Sequence, residues 1–346
     1  MINTDKKITL RTVRSDCRDP WFNLALEEYL FDTIADNTVI LYLWQNQNTV
    51  VIGKTQNAWK ECHLSALEAD GGKLARRPSG GGAVFHDLGN MCYTFIASSG
   101  LYCLERQLKV ILEAVKALGI EAEFTGRNDI TTKDGRKFSG NAFRFVKNTG
   151  LQHGTLLLDT DAGKMARYLH VSSAKMQAKG VQSVRSRVVN LITLNPAITP
   201  DSMSQALLSS FEQEYGVPLP QEVYSCAGPE QPLPEALTAL YQKYASWEWR
   251  CGETPEFGLS TETRFNWGCC EFCFSAEKGM ITTAAVYTDA MDPELADHLT
   301  HLLPGTKLDY QVLCNTVDTA AAASGDALGL TAAMAADIKN WLKEIL

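Results

Sequence analysis

Hydrophobic and polar positions recur with two different periods along this chain, and the periods place its elements. Ile8 to Val13 alternates as a strand does, successive side chains falling on opposite faces. Asp19-Pro20 then supplies a capping carboxylate and a proline suited to the first helical position. The segment through Trp21, Leu24, Ala25, Leu26, Tyr29 and Leu30 is apolar nearly all round, which predicts a buried helix. Val39 to Trp44 and Thr49 to Gly53 are short β-branched or aromatic runs separated by Gln-Asn-Gln-Asn, and they are expected to pair as strands. Ala83 to His86 and Met91 to Ala97 predict two more strands, joined through Asp87-Leu88-Gly89-Asn90. Leu108, Ile111, Leu112, Val115 and Leu118 fall at helical spacing ahead of Gly119. Strands followed by isolated helices, without regular β-α alternation, predict an α+β fold with a mixed or antiparallel sheet.

The pattern changes toward the C-terminus. Ser246 to Arg250 ends the main region, and Pro255 to Gly258 reads as a linker. Arg264 to Gly268 and Glu271 to Phe274 then alternate as strands, Lys278-Gly279 turns, and Ile281 to Tyr287 returns as a partner strand. Helices are expected at Pro293 to Leu303 and Ala332 to Leu346. A chain of 346 residues exceeds the size at which one core stops growing. We therefore expect a large domain over residues 1–250 with a central mixed sheet flanked by helices, and a small α+β accessory domain over 251–346.

Charge sharpens that division. The formal net charge of −8 hides a basic region from Thr125 to Asn190, where twelve basic residues face four acidic ones. From Ser260 onward five basic residues face twelve acidic ones, a shift consistent with a separate domain. A local basic region in an acidic protein points to an acidic partner or a phosphate ligand rather than to general nucleic-acid binding; a solvated surface is the plainer reading. The first ten residues carry charges where a secretory segment needs apolar ones, and no stretch has the apolar length of a membrane span, so a cytoplasmic protein is expected. The ten cysteines are then expected as reduced thiols. Cys269, Cys270 and Cys273 could suggest zinc, but strand alternation turns Cys270 away from the other two, which favours free thiols.

The chemistry concentrates in two segments. Arg76-Arg77-Pro78-Ser79-Gly80-Gly81-Gly82-Ala83-Val84-Phe85-His86-Asp87 joins cations, a triple glycine and a strand-like run. Consecutive glycines permit positive φ and let backbone N–H groups approach an anion, and a guanidinium adds a planar partner for its oxygens. A tight turn between solvated arginines is the alternative. The second segment holds Asn128-Asp129 and Arg136-Lys137-Phe138-Ser139-Gly140. The Lys137 ammonium could hold anionic groups and stabilise charge that grows during a transfer, or it could be a hairpin surface lysine. Asp129 is a candidate for Mg²⁺, with an Asx-turn as its structural alternative.

Taken in order, Asp19 to Ala25, Thr49 to Gly53, the glycine-rich segment, Gly126-Arg127-Asn128-Asp129, Arg136 to Gly140, His153-Gly154-Thr155-Leu156-Leu157 and Lys179 to Arg187 resemble the pattern of the bacterial lipoate–protein ligase A branch of the biotin/lipoate ligase family. That resemblance implies a fold like those of biotin ligases and class II aminoacyl-tRNA synthetases. It also implies ATP-dependent activation of lipoate to lipoyl-AMP with release of pyrophosphate, followed by transfer to a protein lysine. Carried over by position, the nucleotide and lipoyl-adenylate would be held by Arg77, by Gly82, Ala83, Val84 and Phe85, and by Lys137, which would also be the catalytic and lipoate-binding residue. Ser79, Gly80, Gly81, His86 and Asn128 are further loop candidates, and ATP with Mg²⁺ the implied cofactors.

Lys179 to Arg187 is the candidate closing loop. His153 is either a site residue or a structural one, and an apolar slot for the lipoyl tail would draw on Trp44, Val51 or Val84. The implied partners are lipoyl domains of 2-oxo acid dehydrogenase acyltransferase subunits and the glycine-cleavage H protein, with Arg144 and Lys147 of the basic region contributing to docking. A lipoyl or octanoyl transferase of the same fold that does not activate free lipoate is the rival. Some such enzymes use a cysteine placed after the lysine motif, and here no cysteine lies between Leu104 and Ser225. The accessory domain favours a full ligase.

Overall fold

The computed structural model describes residues 8–98, 100–125, 128–169, 188–226, 233–252 and 258–345. The expected closing loop at Lys179 to Arg187, the linker residues 255–257, and Gly126 and Arg127 lie outside them. The elements are β1 (Thr9–Ser15), α1 (Pro20–Asp32), β2 (Thr38–Trp44), β3 (Thr49–Ile52), α2 (Ala58–Glu61), α3 (Leu64–Ala69), β4 (Lys73–Arg76), β5 (Val84–His86), β6 (Asn90–Ala97), α4 (Leu104–Ala117), β7 (Ala122–Thr125), β8 (Asp129–Thr132), β9 (Lys137–Val146), β10 (Thr149–Leu157) and α5 (Ala162–Tyr168). They continue with α6 (Pro200–Tyr215), β11 (Glu222–Tyr224), α7 (Glu235–Ala245), α8 (Trp247–Arg250), β12 (Leu259–Phe265), β13 (Gly268–Glu277), β14 (Met280–Thr288), α9 (Glu294–Leu302), α10 (Tyr310–Ala323) and α11 (Thr331–Ile345).

Eight strands form the central sheet in the order β11-β1-β2-β6-β10-β9-β8-β7. The first three run parallel and the rest pair antiparallel, so the sheet is mixed. Alternation along β2 and β6 gives each face its own core. Leu41, Leu43, Tyr93 and Phe95 pack with Ile111 and Val115 of α4 and Leu207 and Phe211 of α6. Ile40, Tyr42, Trp44 and Cys92 pack on the other face with Leu24 of α1 and Leu237 of α7. Helix α1 begins as its sequence dictates, the Asp19 carboxylate accepting from Trp21 N with Pro20 in the first turn. Its apolar surround also buries Asn23 and Glu27, both 0% exposed and one turn apart, and every polar atom so buried requires a partner.

Two expectations are corrected. The strands on either side of Gln-Asn-Gln-Asn do not pair with each other: β2 stays in the large sheet, whereas β3 lies between β4 and β5 in a second sheet of three strands. In place of a hairpin, Gln45 and Asn46 are drawn into hydrogen bonds with Asn23, and Asn48 takes a φ of 43°. The cysteines are not all reduced either. Cys17 and Cys226 form a disulfide with Cα atoms 5.2 Å apart. Parallel pairing of Ser15 with Tyr224 puts these two residues, each two positions further on, side by side, across a sequence separation of 209 that composition cannot see.

A third sheet, β12-β13-β14, packs with α9, α10 and α11 around its own core, which includes Trp267, Phe272, Leu299, Val317 and Trp341. Cys270 points into that core, while Cys269 and Cys273 donate to Glu262 and Glu271 on the opposite face. This unit meets the large one through Lys54–Asp297 and Lys60–Glu271, both 2.7 Å, and through Gly81 N, which donates to Ala290 O at 2.7 Å. Among the described residues no helix is long and apolar enough to cross a membrane.

Candidate active site

The glycine loop links β4 to β5, and its shape is set from inside by two buried guanidinium groups. Arg76 donates to the carbonyls of Gly53, Lys54, Gln56, Trp249 and Arg250. Arg77 donates to Gly80 O twice, to Gly82 O at 2.8 Å and to Val51 O at 3.2 Å. Burial pushes both groups down to about 10, which leaves them charged near neutral pH. Arg77 therefore spends most of its donors folding the loop, although it also lines the cavity beneath. Gly81 sits at φ +86°, and a Cβ on Gly80 would lie 2.4 Å from Met291 O, so both positions require glycine.

That cavity runs across the end of the central sheet. Of the residues singled out from the sequence, Arg77, Gly81, Gly82, Ala83, Val84, His86, Asn128, Lys137 and His153 line it, together with Trp44 and Val51. Four others are not among its lining residues. Phe85 packs in a core with its ring 5.5 Å from Tyr168, Gly80 lies under Met291, Ser79 bonds to His153, and Asp129 pairs with Lys137. Lys137 opens β9, with Nζ 2.6 Å from the Asp129 carboxylate, and both side chains are about one third exposed (35% and 36%). The ammonium is thus presented to the cavity by a neighbouring strand rather than lost on a hairpin surface. Asn141 braces this end: it accepts from Tyr93 Oη at 2.5 Å and Gln152 Nε2 at 2.8 Å, and donates through Nδ2 to Asn128 O.

Sequence reasoning missed the polar residues that α1 sends toward the cavity. Glu27 accepts from Thr94 Oγ1 at 2.6 Å and from His153 Nδ1 at 2.9 Å, and His153 Nε2 lies 2.7 Å from Ser79 Oγ. A carboxylate only accepts, so Nδ1 carries a proton; in the neutral ring Nε2 is then the acceptor and the Ser79 hydroxyl donates to it. The glycine loop is tied to the central sheet by this chain. Polar residues four apart in a largely apolar helix were its one sequence signal.

Cys92 also lines the cavity, within 3.6 Å of His86 Nδ1. Complete burial drives the thiol well above its ordinary range, and burial with the nearby Arg77 charge pushes His86 down to about 3. A neutral thiol beside a neutral imidazole is not an activated nucleophile. In the basic region, Arg144 lies 3.1 Å from Glu28 and over the Phe31 ring, so it belongs to an internal ion network with Lys243, whereas Lys147 is exposed at the β9–β10 turn with a φ of 51°.

A glycine loop and a lysine facing one cavity beside a mixed sheet form a site suited to an anionic ligand. The Lipoyl protein ligase A/B catalytic domain family matches residues 19–212, and the Bacterial lipoate protein ligase C-terminus family matches residues 254–342. The lipoate-protein ligase A of Blochmanniella floridana is 43% identical over 301 residues, covering 86% of this chain and 89% of that protein. The chain belongs to the lipoyl protein ligase family. Among solved structures, Plasmodium falciparum LipL1 in complex with lipoate superposes with a TM-score of 0.80 at 29% identity, covering 96% of this chain and 99% of that one. A bi-partite lipoate protein ligase from Thermoplasma acidophilum, studied with its E2 lipoyl domain, gives a TM-score of 0.62 over 73% of this chain and 100% of that one; at 24% identity this likeness concerns the fold.

Proposed function

We propose that this chain is an ATP-dependent lipoate–protein ligase, with residues 1–250 as its catalytic unit and 251–346 as its accessory unit. The observation that carries the reading is one cavity in which Lys137 and the glycine loop border a largely apolar interior. In the first step a lipoate carboxylate oxygen attacks the α-phosphorus of ATP, the bond to the β-phosphate breaks and pyrophosphate leaves. In the second the amine of an acceptor lysine attacks the carbonyl of the mixed anhydride, AMP leaves with the bonding electrons, and the amine gives up a proton as the amide forms.

Lys137 exchanges its contact with Asp129 for the reacting carboxylate and phosphate, two anions that otherwise repel. Gly81, Gly82 and Ala83 bound the nucleotide with backbone where side chains would obstruct it, and the buried Arg77 charge lies beneath. Asp129 is the carboxylate we assign to Mg²⁺, an ion that takes one or two protein carboxylates beside phosphate oxygens and would neutralise charge on the leaving pyrophosphate. Among the described residues no group of three or more candidate ligands converges, which suits an ion held mainly by substrate.

The acceptors in this reading are lipoyl domains and the glycine-cleavage H protein, with the exposed Lys147 rather than the internally paired Arg144 contributing charge to their docking. The transferase alternative draws no support from Cys92, whose surroundings suppress its thiolate. The test is to incubate the chain with ATP, Mg²⁺ and lipoate, with and without an apo lipoyl domain, and to follow pyrophosphate and acceptor mass beside Lys137→Ala. Pyrophosphate and a lipoyl-sized mass gain, both lost in the variant, are expected. Modification from preformed lipoyl-AMP without pyrophosphate release from ATP would refute activation.

A further inference from the structure

His86 lines the cavity, is 3% exposed, and has an Nε2 atom with no hydrogen-bond partner among the described residues. Which nitrogen carries its proton follows from groups two residues away. Asn23 Nδ2 lies 3.0 Å from Cys17 O and 2.9 Å from Gln45 O; carbonyls only accept, so this atom is the amide nitrogen. The same nitrogen donates to Asn46 at 2.9 Å, which makes the facing Asn46 atom its oxygen. The other end of the Asn46 amide, 3.2 Å from His86 Nδ1, is then NH₂. Nδ1 accepts, and the single proton of the neutral ring sits on Nε2.

Nε2–H is thus a fixed donor without a partner among the described residues, and a buried donor left unpaired is penalised. The ring lies 6.1 Å from that of Trp44 and against Cys92, residues of β2 and β6 that pair directly. Lys137 opens β9, two strand spacings from Cys92 of β6 and three from Trp44 of β2 across the sheet, so the second of these is the longer reach. Those separations are on the order of 10 and 14 Å. A ligand whose carboxylate lies at Lys137 therefore directs its far end toward Trp44, Cys92 and His86.

We propose that His86 is a specificity-determining residue whose Nε2–H donates to a sulfur of the substrate's terminal ring, so that the site favours a sulfur-bearing acid over the plain alkyl acid of equal chain length. The proposal rests on the ligase reading and adds the basis of tail selection to it. A thioether or disulfide sulfur is a weak acceptor. An alkyl tail offers none and leaves the donor orphaned.

Initial rates of pyrophosphate release with lipoate and with octanoate, for the wild type and for His86→Leu, test it. The ratio of the two kcat/KM values should fall by about tenfold in the variant. An unchanged ratio overturns the proposal while leaving the ligase reading intact; a wild type that turns over neither acid refutes the ligase reading before any variant is compared. Should His86→Leu not fold, long-range ¹H–¹⁵N spectra of the histidine-labelled wild type decide. Nδ1 should be unprotonated, and the Nε2–H resonance should move with lipoate and not with octanoate. A proton on Nδ1, or the same displacement by both acids, contradicts the assignment.

Discussion

Two hydrogen-bonded chains leave the same helix one turn apart, and each reaches an imidazole beside the cavity. The one from Glu27 runs through His153 to Ser79 and closes there. The one from Asn23 runs through Asn46 to His86 and ends on a nitrogen without a partner among the described residues. The group behind each ring sets the outcome. A carboxylate forces its histidine to donate backward and accept forward, whereas an amide oriented by backbone carbonyls forces the reverse. With both rings neutral they stand in opposite tautomers: one holds the glycine loop, and the other keeps a donor for whatever fills the apolar end.

Lys137 stands outside both chains, and its loss should have the largest effect. Lys137→Ala should lower the rate of adenylation on the order of a thousandfold, with little change in thermal stability, read by pyrophosphate release and a melting curve. An equal loss in Ser79→Ala would mean that the closed chain carries chemistry rather than position. Next in size, Asn23→Ala removes a side chain bonded to two carbonyls, Asn46 and Ser15, and should cost about 3 kcal/mol in urea unfolding. A cost under about 1 kcal/mol would show that the open chain is not rigidly held.

The third test uses pH. His86 is pushed down to about 3 in the folded protein from an ordinary 6.5, so between those values the unfolded chain binds a proton that the folded one does not. Stability is then complete above the higher value and falls with acidification by about 1.4 kcal/mol per pH unit from this group. The slope difference between wild type and His86→Leu in urea unfolding from pH 4 to 6.5 isolates it; identical slopes would mean that the ring protonates in place. The smallest effect is expected for Ser79→Ala, which removes only the final link of the closed chain. It should raise the KM for ATP about fivefold with kcat nearly unchanged, as the loss of about 1 kcal/mol of positioning predicts.

What the sequence made legible follows from range. The capped start of α1, the strands at Val39 to Trp44 and Met91 to Ala97, the helix at Leu104 and the glycine loop between strands are local patterns, and local patterns place them. The division of β2 and β3 between two sheets was hidden because it depends on how Gln45 and Asn46 meet Asn23. The disulfide was hidden because it depends on parallel register between β1 and β11. At the site, Lys137 and Gly82 could be singled out by residue type and neighbours, but nothing local says that Phe85 turns into the core or that Asp129 answers Lys137. The roles of Glu27, Asn46 and the two histidines exist only once partners far apart in sequence are brought within 3 Å or so of each other.

The most direct test is a single-turnover quench. Enzyme in excess over lipoate is mixed with ATP and Mg²⁺ in the absence of acceptor, stopped in acid, and assayed for acyl-adenylate and pyrophosphate. We predict one equivalent of each per lipoate, the adenylate disappearing into an acceptor amide when an apo lipoyl domain is added. Absence of acyl-adenylate and pyrophosphate, with acceptor still modified from preformed lipoyl-AMP, would contradict the account and leave a transferase in its place.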